Sequence, residues 1–75
     1  MDVKEFKQTR EKLGLTQKEM ANLLGFSGAA QTVKNIEGGQ RKPGRLVIKL
    51  LRYLVSLPKS KAAGFIEELN RYEPE

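Results

Sequence analysis

The 75-residue sequence has no cysteine and no histidine. Without cysteine there are no disulfides, and without either residue the usual ligands of zinc and other transition metals are missing, so we expect no metal and no cofactor. The same absences remove the usual pairs of nucleophile and base. The carboxylates of Glu67 and Glu68 are neighbours, and neighbouring residues on a helix do not face each other. We therefore expect no enzymatic activity.

Long apolar runs are also missing. No stretch approaches the ~20 residues that a membrane-spanning helix needs. The opening segment MDVKEFKQTR lacks the apolar core of a signal peptide. We therefore expect a cytoplasmic protein without a membrane partner.

Acidic residues are outnumbered by basic ones. The chain has 14 Lys and Arg against 9 Asp and Glu, which gives a formal net charge of +5. An excess of this size favours a partner that carries negative charge.

Helical periodicity is present along the whole chain, without a strand pattern or an internal repeat. Two capping boxes, formed by Asp2 with Glu5 and by Thr16 with Glu19, mark helix starts, and glycines and prolines mark helix ends. The predicted helices cover approximately residues 3–13, 16–24, 29–36, 46–57 and 59–71. The fourth is apolar around nearly its whole circumference, so we expect burial on most of its sides. The sequence predicts one all-α domain.

The second and third helices are separated by a tight turn, and the third presents small and amide side chains, as in a helix-turn-helix. The segment LGLTQKEMANLLGFS, followed by VKNIEGG and Pro43, resembles the phage repressor and Cro type (XRE-like) of transcriptional regulators over roughly residues 6–54. The resemblance implies a five-helix lambda-repressor-like DNA-binding domain. Residues 1–57 would be its core, and residues 58–75 a C-terminal helix for dimerisation. The segment between Gly25 and Glu37 is two residues longer than usual for the family.

The third helix is the predicted base-reading element. Counted back from Glu37, the resemblance implies base contacts by Ala30, Gln31, Lys34 and Asn35. Chemistry favours the same residues, because Gln and Asn pair with adenine N6 and N7, Lys donates to guanine, and Ala touches a thymine methyl group. Gln31, Lys34 and Asn35 also lie off the apolar stripe of this helix and share one outward face.

Two further sets of residues frame this helix. Residues 40–45 form a loop with three positive charges and no negative one, which fits phosphate contacts, with a solvated charged loop as the alternative. The predicted contacts to the DNA backbone are Gln17, Ser27, Thr32, Arg41, Lys42 and Arg45. In the resembled family, the residue matching Gln17 also braces the recognition helix, and the residues matching Arg10 and Glu37 form an ion pair. We expect that pair to be partly buried here.

One recognition helix reads few base pairs, so we expect a homodimer that reads a palindromic operator in double-stranded DNA. The predicted dimer interface consists of Leu57, Phe65, Ile66, Leu69 and Tyr72. Coverage of the monomer's own core by the last helix stays open as an alternative. The predicted function is a dimeric autorepressor without a small-molecule effector, acting at the nucleoid of a bacterial or phage-infected cell. The alternative is an antitoxin-like module whose C-terminal helix binds a partner protein, with DNA binding secondary.

Overall fold

The computed structural model describes residues 1–26 and 30–72. These residues form five helices and no strand, which confirms the predicted five-helix, all-α architecture. The helices are α1 (Val3–Lys12), α2 (Gln17–Leu24), α3 (Ala30–Glu37), α4 (Arg45–Ser56) and α5 (Lys59–Asn70). None of the helices in the described part of the chain is long and apolar enough to cross a membrane.

Local sequence explains where the first two helices begin. The Asp2 carboxylate accepts a hydrogen bond from the Glu5 amide at 2.7 Å and caps α1. At α2 the Thr16 hydroxyl accepts from the Glu19 amide at 3.1 Å, and the Glu19 carboxylate accepts from the Thr16 amide at 2.9 Å. These reciprocal bonds satisfy two amides that the helix leaves unpaired. Hydrogen bonds that the Glu19 carboxylate accepts, first from the Thr16 amide and then from the Thr16 hydroxyl, lower the pKa of Glu19 below its ordinary 4.5.

The turn after α2 depends on Gly25. Its φ is 71°, in the left-handed region, and its amide closes the helix on the carbonyls of Ala21 and Asn22. A residue with a Cβ is strained in this conformation, which is why glycine commonly follows a helix. Gly25 thereby sets the direction in which the chain leaves α2 towards α3.

The core lies where all five helices meet. The largest fully buried side chains are Phe6, Met20, Val33, Ile36, Leu51 and Leu54. Helix α3 packs against α1 and α2, while α5 packs against α2 and α4. Ala62 of α5 is buried, and Ile66 and Leu69 pack against the same core. Helix α5 is therefore an integral part of the monomer.

Helix α4 differs from the sequence expectation. Only Leu51 and Leu54 of this helix are fully buried, whereas Leu46 is 75% exposed and Tyr53 is 51% exposed. Its main neighbours are α1 and α5, which cover one side of the helix. Among the described residues, the other helices contact α4 only weakly or not at all. The prediction that α4 is buried on most sides is therefore wrong for the monomer.

Candidate nucleic-acid interface

Helix α3 has distinct inner and outer faces. Val33 and Ile36 are buried in the core. Gln31 and Lys34 are exposed, while Ala30 and Asn35 are half-buried. The four predicted base-reading residues therefore all keep some access to solvent, and the two largest apolar residues hold the helix in place.

Two of the predicted readers are joined to each other. The Gln31 Nε2 donates a hydrogen bond to the Asn35 Oδ1 at 3.0 Å, one helical turn away. This bond orients the Asn35 amide so that its own N–H groups and one oxygen lone pair remain available. The main-chain carbonyl of Asn35 accepts from the amides of Gln40 and Arg41, at 2.9 and 3.3 Å, where the helix gives way to the following turn.

Glu37 ties the end of α3 to the two preceding helices. Arg10 Nε of α1 donates to Glu37 Oε2 at 2.7 Å, and Arg10 Nη2 donates to Oε1 at 3.3 Å. Gln17 Nε2, at the start of α2, donates to the same Oε1 at 3.3 Å. The Arg10 side chain is 14% exposed and that of Glu37 is 7% exposed. The expected ion pair is thus present and largely removed from water, and Gln17 braces it.

The basic loop lies at the C-terminal side of α3. Arg41, Lys42 and Arg45 are all exposed. Arg45 opens α4, where the helix macrodipole disfavours a positive charge, so helix stability does not explain its presence. The Arg41 guanidinium lies over the ring of Phe26, 5.7 Å from its centroid, a cation–π contact. Spacing along the chain does not indicate this contact, because Phe26 precedes α3 and Arg41 follows it.

Thr32 and Ser27 are two of the predicted contacts to the DNA backbone. Thr32 is only 9% exposed. It lies one residue before Val33 and one turn before Ile36, among the buried residues of α3. This burial leaves little surface for the predicted contact between Thr32 and the DNA backbone. Ser27 lies outside the described residues.

The predicted dimer residues divide into two groups. Leu57, Ile66 and Leu69 are half-buried and pack against the monomer's own core, as the alternative for the last helix had it. Phe65 and Tyr72 face solvent, with 37% and 77% of their surface exposed. Tyr53 of α4, which the prediction omitted, meets the Phe65 ring edge-on with centroids 5.8 Å apart. These three exposed aromatic residues therefore lie on α4, on α5 and just after the end of α5.

Comparisons of the chain with protein-family models, with curated proteins and with solved structures return no significant match. The resemblance to phage repressors therefore depends on the sequence motifs alone. The functional interpretation depends on those motifs and on the geometry of α3.

Proposed function

We propose that this protein is a sequence-specific transcriptional regulator that inserts α3 into the major groove of double-stranded DNA. The observation that carries the proposal is the anchorage of α3. Its inner face is buried and its last residue, Glu37, is bound by α1 and α2. Its outer face meanwhile presents two amides and a lysine. A major groove admits one α-helix, and such side chains match the edges of its bases.

Each outward residue has a defined partner in this proposal. Gln31 and Asn35 offer a donor and an acceptor to adenine N6 and N7, and Lys34 donates to guanine O6 and N7. Ala30 has a short side chain at the first position of α3, which allows close approach of the helix to the bases. Rigid attachment of α3 to the core keeps these groups in one register with the groove.

Phosphate contacts would flank the groove. Arg41, Lys42 and Arg45 are exposed beside the C-terminal end of α3. Phe26 restricts the Arg41 guanidinium from one face and leaves its N–H edge free for a phosphate oxygen. Gln17 uses one N–H on Glu37 and retains a second for the DNA backbone. These contacts would add affinity without reading sequence.

The proposal includes a homodimer that reads a palindromic operator and represses transcription in the cytoplasm of a bacterial or phage-infected cell. Helix α3 has eight residues and reaches few base pairs, so two copies are needed for adequate discrimination. The exposed apolar residues Tyr53, Phe65 and Tyr72 support self-association.

Selection of bound duplexes from a random pool, followed by affinity measurements on the selected sequence, tests DNA reading. We expect Asn35→Ala to reduce the preference at one base pair by about 5- to 150-fold, the equivalent of one bidentate contact. Lys42→Ala should weaken all duplexes alike and reduce the salt slope by about one contact. Lys7→Ala, an exposed lysine of α1 outside the candidate interface, is the control. A pool without any enriched sequence would overturn the proposal.

The antitoxin-like module is the second candidate, and the exposed Phe65 and Tyr72 are the observation that favours it. A partner protein seated on α5 would cover these side chains. In that case Phe65→Ser would abolish capture of the partner and leave DNA binding unchanged. The first proposal expects the same variant to lower DNA affinity through loss of the dimer.

A further inference from the structure

A cavity of about 410 Å³ lies between the start of α1, the end of α3, the loop that follows α3, and α4. Ile36 is buried in the core and marks the inner end of this cavity, whereas Val3 is 42% exposed at its edge. Binding pockets for small molecules have volumes of about 300–1,000 Å³ and mostly apolar walls. The cavity therefore has the size and the lining of a small-molecule site. Its apolar lining consists of Met1, Val3, Ile36, Pro43 and Ile48.

Two cations line the same cavity. Arg41 and Lys42 are both exposed, and among the described residues neither forms an ion pair with a carboxylate. The third charged side chain of the lining is Asp2, whose carboxylate accepts a hydrogen bond from the Glu5 amide at 2.7 Å as the cap of α1. The positive end of the α1 macrodipole offsets part of its charge. Two cations and one carboxylate leave the lining with a net charge of +1, which an anion with a single charge would balance.

Phe26 restricts the position of Arg41. The Arg41 guanidinium lies over the Phe26 ring, 5.7 Å from its centroid, so the ring covers one face of this planar group. The N–H groups of a guanidinium point outward in its plane and bind the two oxygens of a carboxylate as a pair. Arg41 and Lys42 are also the proposed contacts to DNA phosphates. A carboxylate bound at the cavity would therefore occupy groups that the DNA backbone needs.

We propose that this cavity binds a small aliphatic carboxylate, with the charged group on Arg41 and Lys42 and the apolar body inside the cavity. Binding competes with the phosphate contacts of the same two cations, so the ligand releases DNA. The competition rests on the proposed function, whereas the binding of the carboxylate does not. The proposal departs from the sequence expectation of a regulator without a small-molecule effector. Four separate segments form the cavity, so no sequence motif marks it.

Titration with sodium octanoate tests the site without DNA, and the chain supplies its own spatial control. Of its three isoleucines, Ile36 and Ile48 line the cavity, and Ile66 lies on α5. The methyl NMR signals of Ile36 and Ile48 should move together, with a dissociation constant on the order of 1 mM, while the Ile66 signal stays in place. Butanoate has the same charge and a shorter body, so it should bind at least about tenfold more weakly. No movement, or equal movement of all three signals, would overturn the proposal.

Variants locate the two ends of the ligand. Val3→Trp fills the cavity from its exposed edge and should abolish the octanoate-dependent shifts. Val55→Trp, the same exchange in a different cavity, is the matched control and should retain them. Arg41→Gln combined with Lys42→Gln should weaken octanoate binding about five- to tenfold and leave the binding of octanol unchanged, because the alcohol carries no charge. Octanoate binding that is insensitive to both cavity filling and loss of the cations would refute this site.

The competition with DNA is measured on the duplex selected from the random pool. Octanoate at about ten times its own dissociation constant should raise the dissociation constant of this duplex about tenfold, as mass action requires for two ligands that exclude each other. Butanoate at the same concentration controls for ionic strength. Val3→Trp should bind the duplex normally and lose the response to octanoate. Octanoate binding that leaves DNA affinity unchanged would overturn the competition. Octanoate binding by a chain that selects no duplex would refute the proposed function and leave the carboxylate site in place.

Discussion

Helices α3 and α5 are attached to the same core in different ways. The attachment of α3 includes two large buried side chains, Val33 and Ile36, and a carboxylate held by two other helices. The attachment of α5 includes one small buried side chain, Ala62, and its ion pairs lie in solvent. The position of α3 is therefore determined within one chain. The outer surface of α5 is exposed in the single chain, Phe65 included.

The same contrast holds for the helix starts. Side-chain oxygens cap α1 and α2, through Asp2 and Thr16. Helices α4 and α5 begin at Gly44 and Pro58, without any side-chain hydrogen bond. A side-chain cap determines where a helix begins through neighbouring residues alone. An uncapped helix depends on tertiary packing to determine where it begins. The first half of the molecule is thus specified more locally than the second half.

The largest effect expected from this contrast is at Glu37. Glu37→Ala leaves the Arg10 guanidinium largely buried without its partner, and we expect a loss of about 3–5 kcal/mol in the free energy of unfolding. Glu68→Ala, which removes an exposed partner of Arg71, should cost no more than about 0.5 kcal/mol. Urea denaturation at neutral pH measures both. Similar losses for the two variants would contradict the conclusion that the ion pair of α3 contributes more to stability than the exposed ion pairs of α5.

A loss of this size is comparable with the whole stability of a small domain, about 5 kcal/mol. If Glu37→Ala is unfolded, the double variant Arg10→Met with Glu37→Met provides the second measurement. Replacement of both charges by apolar groups removes the unpaired charge, so folding should return. A double variant that is as unstable as Glu37→Ala would show that the cost does not come from the stranded arginine.

The sequence predicted local features of the fold better than tertiary ones. The helix starts at Asp2 and Thr16 and the turn at Gly25 depend on residues within one helical turn, so their positions follow from the sequence. The Arg10–Glu37 pair was available from a family resemblance. The exposed side of α4 was not predictable, because a helix that is apolar all round has no periodicity to mark its inner face.

Two details of the candidate site were also beyond sequence reasoning. Thr32 is buried although it is polar, and a polar residue next to an apolar stripe gives no signal of which side it takes. The Arg41–Phe26 contact joins residues on either side of α3, and a long arginine side chain reaches many positions. Both depend on three-dimensional packing, which spacing along the chain does not encode.

Gly25 and Gly64, one in each half of the molecule, should respond differently to alanine. The expected changes in stability are of intermediate size. Gly25 has a φ of +71°, so Gly25→Ala should destabilise the protein by about 1–2 kcal/mol even though space for the methyl group is free. Gly64→Ala, in a regular helix, should stabilise the dilute monomer by about 0.5–1 kcal/mol. Thermal unfolding at low protein concentration compares the two variants. Changes of the same sign would contradict the difference in backbone conformation between Gly25, in the left-handed region, and Gly64, in a regular helix.

The smallest effect expected is on the pH dependence of the capped helix start. The pKa of Glu19 is lowered by hydrogen bonds that its carboxylate accepts from the Thr16 amide and from the Thr16 hydroxyl. A carboxyl with a lowered pKa contributes stability above its unfolded pKa of 4.5, and this contribution is lost as the pH falls through the lower folded value. Thr16→Ala should therefore move the Glu19 pKa part of the way back towards 4.5, since the amide bond remains. An NMR titration of the Glu19 carboxyl measures this shift.

The NMR signal of the Thr16 amide should follow the titration of Glu19, whereas the signal of the Lys59 amide, at the uncapped start of α5, should not. A Glu19 pKa that is unchanged by Thr16→Ala would show that the hydroxyl takes no part in holding this helix start.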